Sequence, residues 1–168
     1  PLGTGDRAAV SAFAAQRRPA DGRAPMSRLW VLEGGMSLTG AKADERRPLT
    51  PTAVARLAFA LARYLHEHGV ALPTGATPSL LEPFDLATVA RDCGLSPTWL
   101  RALADDLRTS AGEALVLTGP ALPAEAHVAG HLLNAMLGAG GRTLERAPAG
   151  ATPLATLAAV RAVLGRMA

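Results

Sequence analysis

The sequence predicts an α/β domain in which a small parallel sheet is flanked by helices. Short apolar runs at residues 29–32 and 114–118 stop at glycines and are too brief for helices, and a third strand is expected at residues 142–145. Longer stretches with apolar residues at helical spacing separate these runs. Strands that alternate with helices are typical of parallel sheets, because each crossover connection lays a helix against the sheet.

The expected helices have recognisable ends. Thr50 can cap a helix that begins at Pro51 and runs to His68, where Gly69 follows as a helix terminator. Further helices are expected at residues 7–17, 86–92, 97–108, 124–137 and from 153 to the last residue. Together these elements account for most of the chain.

Composition restricts the classes of protein. The 168 residues suffice for one compact domain, and 49% hydrophobic with 18% charged residues excludes a disordered chain. Residues 1–27 are rich in Ala, Arg, Gly and Pro and are interpreted as a linker with a short helix, and residues 28–168 as the α/β domain.

The basic residues are scattered, so no nucleic-acid partner is expected. No apolar run reaches the roughly 20 residues of a spanning helix, so the segment itself is expected to be soluble, without direct membrane insertion.

Few side chains suggest chemistry, and no catalytic residue or metal site is predicted. Cys93 is the single cysteine, which excludes an internal disulfide and any iron–sulphur cluster held by this segment alone. His127 and His131 have the i, i+4 spacing that zinc can use, although ordinary helix histidines are the favoured interpretation. Glu33 ends the first strand, where an open α/β sheet binds ligands, and could accept hydrogen bonds from a ribose or a guanine; a solvated loop carboxylate fits equally.

Residues 89–100 have the pattern of a helix-turn-helix, with Cys93 and Gly94 at the turn. A DNA-binding regulator is therefore one alternative. However, Asp105 and Asp106 on the second helix would repel phosphate, so a helical corner packed against the sheet is favoured.

Two stretches carry a family resemblance. Residues 29–44, Leu-Trp-Val-Leu-Glu-Gly-Gly-Met-Ser-Leu-Thr-Gly-Ala-Lys-Ala-Asp, precede Pro51 and the long helix. This order resembles the strand, acidic residue, threonine and Ala-Asp of the molybdopterin oxidoreductase family. Residues 114–119, with Leu-Asn-Ala-Met-Leu-Gly at 133–138 and Gly-Gly-Arg-Thr at 140–143, resemble a later strand, helix and glycine turn of the same domain. The resemblance covers residues 28–145 in the right order. Within the family it is greatest to the large iron–sulphur subunit of alternative complex III, a quinol-oxidising respiratory assembly, of which this chain would be an internal piece.

The resemblance implies a Rossmann-like three-layer fold and a cofactor position. Glu33, Thr39 and Asp44 would lie near the nucleotide tail of molybdopterin guanine dinucleotide. The family's Gly-Thr-Asp at the start of the long helix is replaced here by Pro51-Thr52-Ala53, without the glycine or the acid. This departure implies that the segment binds no cofactor, as in the alternative complex III branch, whose molybdopterin-like domain is understood to be empty. The cysteines for iron–sulphur clusters would belong to the rest of the full-length chain.

The resemblance therefore implies a non-catalytic structural and interaction domain of a respiratory electron-transfer subunit. Its partners would be the remainder of its own chain and the other subunits of a membrane-associated complex, on the periplasmic side. A nucleotide-tail-binding domain of an active molybdopterin oxidoreductase is the other alternative within this family. A homodimer formed through an unprotected sheet edge also stays open.

Overall fold

The computed structural model of the chain describes residues 7–17, 26–145 and 165–166. Within them the fold is mixed α/β, with a two-stranded parallel sheet and five helices of defined bounds. The strands are β1 (Trp30–Glu33) and β2 (Glu45–Pro48), and the helices are α1 (Arg7–Gln16), α2 (Pro51–Glu67), α3 (Leu86–Asp92), α4 (Pro97–Thr109) and α5 (Ala124–Met136). The helix expected from residue 153 onward lies outside the described residues, except that Gly165 and Arg166 are helical.

The sheet pairs a predicted strand with one that was not predicted. Trp30 lies opposite Glu45, and Glu33 lies opposite Pro48. A loop containing the 3-10 turn Gly40–Lys42 joins the strands. β2 reads Glu-Arg-Arg-Pro and has no apolar run, which is why hydrophobic patterning does not detect it.

The strands predicted at residues 114–118 and 142–145 are wrong. Residues 141–143 form a turn, and Leu144 makes only an isolated bridge with Gly140. Residues 114–118 pair with no strand of the described chain. Instead residues 112–118 follow α5 backwards: the Gly112 N–H donates to the carbonyl of Leu137, just after the helix, and the Thr118 hydroxyl is hydrogen-bonded to His127. Ten helical residues span about 15 Å, so the six-residue step from Gly112 to Thr118 runs extended along the helix.

The core is aliphatic and centred on α2, which packs against α3 and α5, while α3 packs against α4. The largest fully buried side chains are Leu57, Leu65, Leu81, Val89, Leu100, Leu133 and Leu137. Two predicted helix starts are confirmed in atomic detail. Thr50 Oγ1 accepts a hydrogen bond from the Ala53 N–H at 3.3 Å, and Asp85 Oδ1 accepts one from the Thr88 N–H at 2.8 Å. No helix in the described ranges is both long and apolar enough to cross a membrane.

Candidate functional site

Glu33, the first of the predicted site residues, is bonded within the chain. Its Oε1 accepts hydrogen bonds from Arg46 Nε at 2.8 Å and from the Ser37 N–H at 3.1 Å. Burial by itself would raise the pKa of Glu33, but these hydrogen bonds and the Arg46 charge outweigh it and hold that pKa below its ordinary value. Glu33 is therefore an anion at neutral pH whose charge is balanced by its neighbour across the sheet.

The loop after β1 is built around that carboxylate. Gly40 is buried, and a Cβ placed there would collide with Glu33 Oε1. The Gly40 N–H donates to Ser37 Oγ at 3.0 Å, and the Ala41 N–H donates to the Ser37 carbonyl at 2.9 Å. Glu33 thus stabilises the conformation of residues 34–40. Position 40 requires glycine, because the Glu33 carboxylate occupies the space that a Cβ at this position would need.

Asp44 is held even more firmly, by a different arginine. Arg17 donates to both of its carboxylate oxygens, at 2.8 and 2.7 Å, and the Leu29 N–H donates to Oδ2 at 2.7 Å. The Arg17 hydrogen bonds lower the pKa of Asp44 to about 2. This bidentate ion pair links Arg17, the residue after α1, to Asp44 at the amino end of β2. It therefore crosses the boundary that the sequence predicts between residues 27 and 28.

The predicted site residues do not converge. Glu33 lies at the carboxyl end of β1, opposite Pro48, whereas Asp44 immediately precedes β2 at the amino end of the sheet. Four residues of strand, at about 3.3 Å each, separate the two positions by about 13 Å. Thr39 lies in the connecting loop, at the start of the 3-10 turn. Cofactor contact by Glu33, Thr39 and Asp44 stays a prediction.

Sequence reasoning missed a cluster that joins the sheet to α4. Trp30 Nε1 donates to Asp106 Oδ2 at 2.6 Å, and Trp99 Nε1 donates to Glu45 Oε2 at 3.0 Å. The two indoles meet edge to face, 5.2 Å between centroids, and the Arg47 guanidinium lies 4.6 Å from the Trp99 ring. A half-buried indole needs a hydrogen-bond acceptor for its N–H. This requirement is the signal in the sequence that could have indicated acidic partners for Trp30 and Trp99. Asp106 of α4 thus binds Trp30 of β1 and also forms an ion pair with Arg28 within the chain.

A second cluster gives Asn134 a role that the sequence pattern did not reveal. Its buried side chain accepts from the Val116 N–H at 2.9 Å and donates to the Val116 carbonyl at 2.8 Å. The amide therefore imitates one residue of a neighbouring strand. We call this pair of bonds the Asn134 clamp. The Thr143 hydroxyl adds a bond to the Ala114 carbonyl at 3.0 Å.

His127, His131 and Cys93 are the other side chains considered for chemistry, two on α5 and one at the corner between α3 and α4. His127 Nδ1 is bonded to the Thr118 hydroxyl at 3.0 Å, and His131 is exposed. No group of three or more potential metal ligands is found among the described residues. Cys93 is half-buried against the core, and burial raises the pKa of its thiol, which disfavours the nucleophilic thiolate.

The helical corner packs against the sheet. α3 and α4 meet at Gly94, whose φ of 67° lies in the left-handed region that favours glycine. α4 buries Leu100 and Leu103 and contacts both strands through Trp99 and Asp106. The second helix of a DNA reader has to project one face into a groove, and the packed faces of α4 are not available for that.

Two depressions on the described surface lie away from the predicted site residues. One, of about 570 Å³, lies between α5 and residues 140–145, beside His131. The other, of about 230 Å³, lies between α2 and residues 78–82. Neither is lined by Glu33, Thr39 or Asp44. Comparison with known proteins adds no assignment, because no family model and no curated protein matches the chain.

Proposed function

We propose that this chain is a non-catalytic structural and interaction domain of a respiratory electron-transfer oxidoreductase subunit. The subunit would be similar to the large iron–sulphur subunit of alternative complex III, and the domain a Rossmann-like part of it. One observation carries the non-catalytic part of the proposal. The carboxylates expected to meet a nucleotide lie at opposite ends of the sheet, and each is neutralised by an arginine of the same chain.

Those ion pairs oppose nucleotide binding energetically. Glu33 and Arg46 have side chains only 18% and 21% exposed, and Asp44 is bonded by Arg17 and by the Leu29 N–H. A ligand that recruited either carboxylate would have to break bonds of this kind and leave a partly buried arginine without its partner, which is costly. The carboxylates are thus better suited to hold the fold together than to recognise a ligand.

The start of α2 supports the same conclusion. In the family that this chain resembles, an acid at that position would meet the guanine. Here the first turn contains no acidic residue, and Pro51 has no N–H to donate. The Thr50 hydroxyl already accepts from the Ala53 N–H. The first turn of α2 therefore has no carboxylate that could bind a guanine, and position 51 has no N–H that could donate to one.

The proposal assigns no cofactor to this segment. Iron–sulphur clusters would be held by cysteines elsewhere in the full-length chain, because one cysteine cannot bind a cluster alone. The partners would be the remainder of that chain and the other subunits of a membrane-associated complex, on the periplasmic side. The contribution of this domain would be to position them.

The nucleotide arm of the test uses GDP as a probe for the guanine dinucleotide tail. Isothermal titration of the 168-residue chain with GDP is expected to give no saturable heat, and thermal unfolding should not shift with up to about 1 mM GDP. Saturable binding that Asp44→Asn or Glu33→Gln weakens would instead favour an active nucleotide-binding domain.

The assembly arm uses the full-length subunit. Removal of residues 26–145 from it should leave its iron–sulphur signals in electron paramagnetic resonance unchanged and abolish co-purification with its membrane partners. Loss of the clusters with retained assembly would contradict an interaction role. A full-length chain without any cluster would contradict the respiratory assignment itself.

A further inference from the structure

Among the residues that the structure describes, one edge of the 114–118 segment has no partner strand. The Val116 N–H and carbonyl both face α5, where the Asn134 clamp binds them. In an extended chain the N–H and carbonyl groups of successive residues point to opposite sides. Those of Leu115 and Leu117 therefore point away from α5, and they have no hydrogen-bond partner among the described residues.

The side chains of the same two residues form an exposed apolar face. Leu115 and Leu117 are 40% and 64% exposed, whereas Ala114 and Val116 pack against the core. Residues 114–118 contain no charge and no proline, which are two of the devices by which proteins protect an open edge. The segment therefore has the unpaired main-chain groups and the apolar side chains that a strand presents to a second strand.

We infer that this edge binds the same edge of a second copy of the chain, in an antiparallel pair centred on Val116. About a two-fold axis at Val116, Leu115 lies opposite Leu117 of the second copy, and Leu117 opposite Leu115. Both are hydrogen-bonded pairs, which exchange two N–H···O bonds each. The free groups of both residues are thereby satisfied, while each Val116 keeps its bonds to Asn134.

Charge and side-chain packing suit this register. The four leucines lie on one face of the pair, where neighbouring apolar side chains contact across the strands. Glu113, the nearest charged residue in the sequence, lies opposite Gly119 of the second copy, so the two Glu113 side chains do not face each other. The net charge of +3 opposes association only weakly. This inference is independent of the proposed respiratory role, because it uses only the edge itself.

Sedimentation velocity of the 168-residue chain tests the association. A reversible dimer is expected, and Leu117→Lys should weaken it at least about tenfold, since it places a charge among the leucines. Val128→Lys is the matched control: Val128 is 56% exposed on α5 and lies outside the segment, so the dimer should persist. A chain that stays monomeric, or a dimer that Leu117→Lys leaves intact, would overturn the inference.

Disulfide cross-linking tests the register and does not depend on how well the lysine variant folds. In a Cys93→Ser background, a mixture of Leu115→Cys and Leu117→Cys chains should cross-link on oxidation, because hydrogen-bonded partners lie about 5.5 Å apart between Cα atoms. Each variant alone should cross-link slowly, since identical positions are offset by two residues from their own copies. Equal cross-linking of the single variants would contradict the register.

Discussion

The β1–β2 pair and the 114–118 segment both lie extended in the described structure, and they differ in how the hydrogen-bonding groups of their backbones are satisfied. β1 and β2 share a parallel ladder over four residues each. The 114–118 segment has no strand beside it in the described structure, and a side chain binds one of its residues on one edge. The more apolar sequence is thus the one that is not a strand.

This difference shows what apolar patterning can and cannot report. Leu-Val-Leu at residues 115–117 favours an extended backbone, but a strand also needs a neighbouring backbone at the right distance. Glu-Arg-Arg-Pro in β2 lacks the apolar pattern and still pairs, because Trp30 and Leu32 of β1 pack against the core beside it and Glu33 binds Arg46 across the ladder. Pairing is decided by contacts that are distant in sequence.

Loss of the Asn134 clamp should have the largest effect on stability, because the clamp holds the 114–118 segment against α5. Asn134→Leu should lower the free energy of unfolding by about 3 kcal/mol, because two hydrogen bonds are lost and the backbone groups of Val116 are left unpaired. Urea unfolding followed by far-ultraviolet circular dichroism measures this change. Ala135→Gln, at an exposed neighbour on the same helix, should change the free energy by less than about 0.5 kcal/mol. Equal effects of the two would mean that the clamp does not hold the segment.

The loop that joins β1 to β2 provides a second, smaller effect. Gly40→Ala should lower the free energy of unfolding by about 1 to 2 kcal/mol, since the new methyl group displaces Glu33 from Arg46 and Ser37. Gly35→Ala is the control, because a Cβ there meets nothing within 4 Å. In a Glu33→Ala background most of the Gly40→Ala cost should disappear. A cost that persists unchanged would mean that the Arg46 side chain, whose Nε lies 3.0 Å from the same Cβ position, resists the methyl group instead.

The smallest effect on the free energy of unfolding is expected from the Arg17–Asp44 ion pair at the amino end of the sheet, and this effect depends on pH. The pKa of Asp44 is lowered to about 2 in the folded chain, so its contribution to stability is present above the ordinary aspartate pKa. That contribution should be lost as the pH falls from about 4 to 2. Asp44→Asn should therefore lower stability by about 1 kcal/mol or less at pH 7 and have little effect near pH 2.

Urea midpoints at several pH values measure the Asp44 effect. Asp92→Asn serves as the control, because Arg56 and Asp92 form a surface ion pair in which both side chains are nearly half exposed. Such pairs contribute little. A pH dependence that is the same in Asp44→Asn and in the unsubstituted chain would mean that the Arg17 pair does not stabilise the fold.

The helices could be predicted because their signals are local. Thr50, Pro51 and Gly69 mark α2 within about one residue of its observed ends, and Asp85 marks the start of α3. Caps, prolines and apolar spacing act within a few residues of the backbone that they shape. The helical corner around Gly94 could be predicted for the same reason.

The sheet and the polar clusters could not be predicted, because their partners are far apart in the chain. Glu33 and Arg46 are 13 residues apart, Asn134 and Val116 18, and Trp30 and Asp106 76. A single sequence gives the types of these residues and not their pairing. The sequence marks Glu33 and Asp44 as candidate site acids, but it does not show that Arg46 and Arg17 bind them.

The tryptophan cluster has a consequence for how unfolding of this protein is observed. Trp30 and Trp99 are its only two indoles, and their ring centroids are 5.2 Å apart, next to carboxylates. Intrinsic fluorescence therefore originates at one junction, between β1 and α4. A partial opening around α5 would leave that emission unchanged while the circular dichroism falls, so divergence of the two optical signals would locate the first part of the molecule to separate.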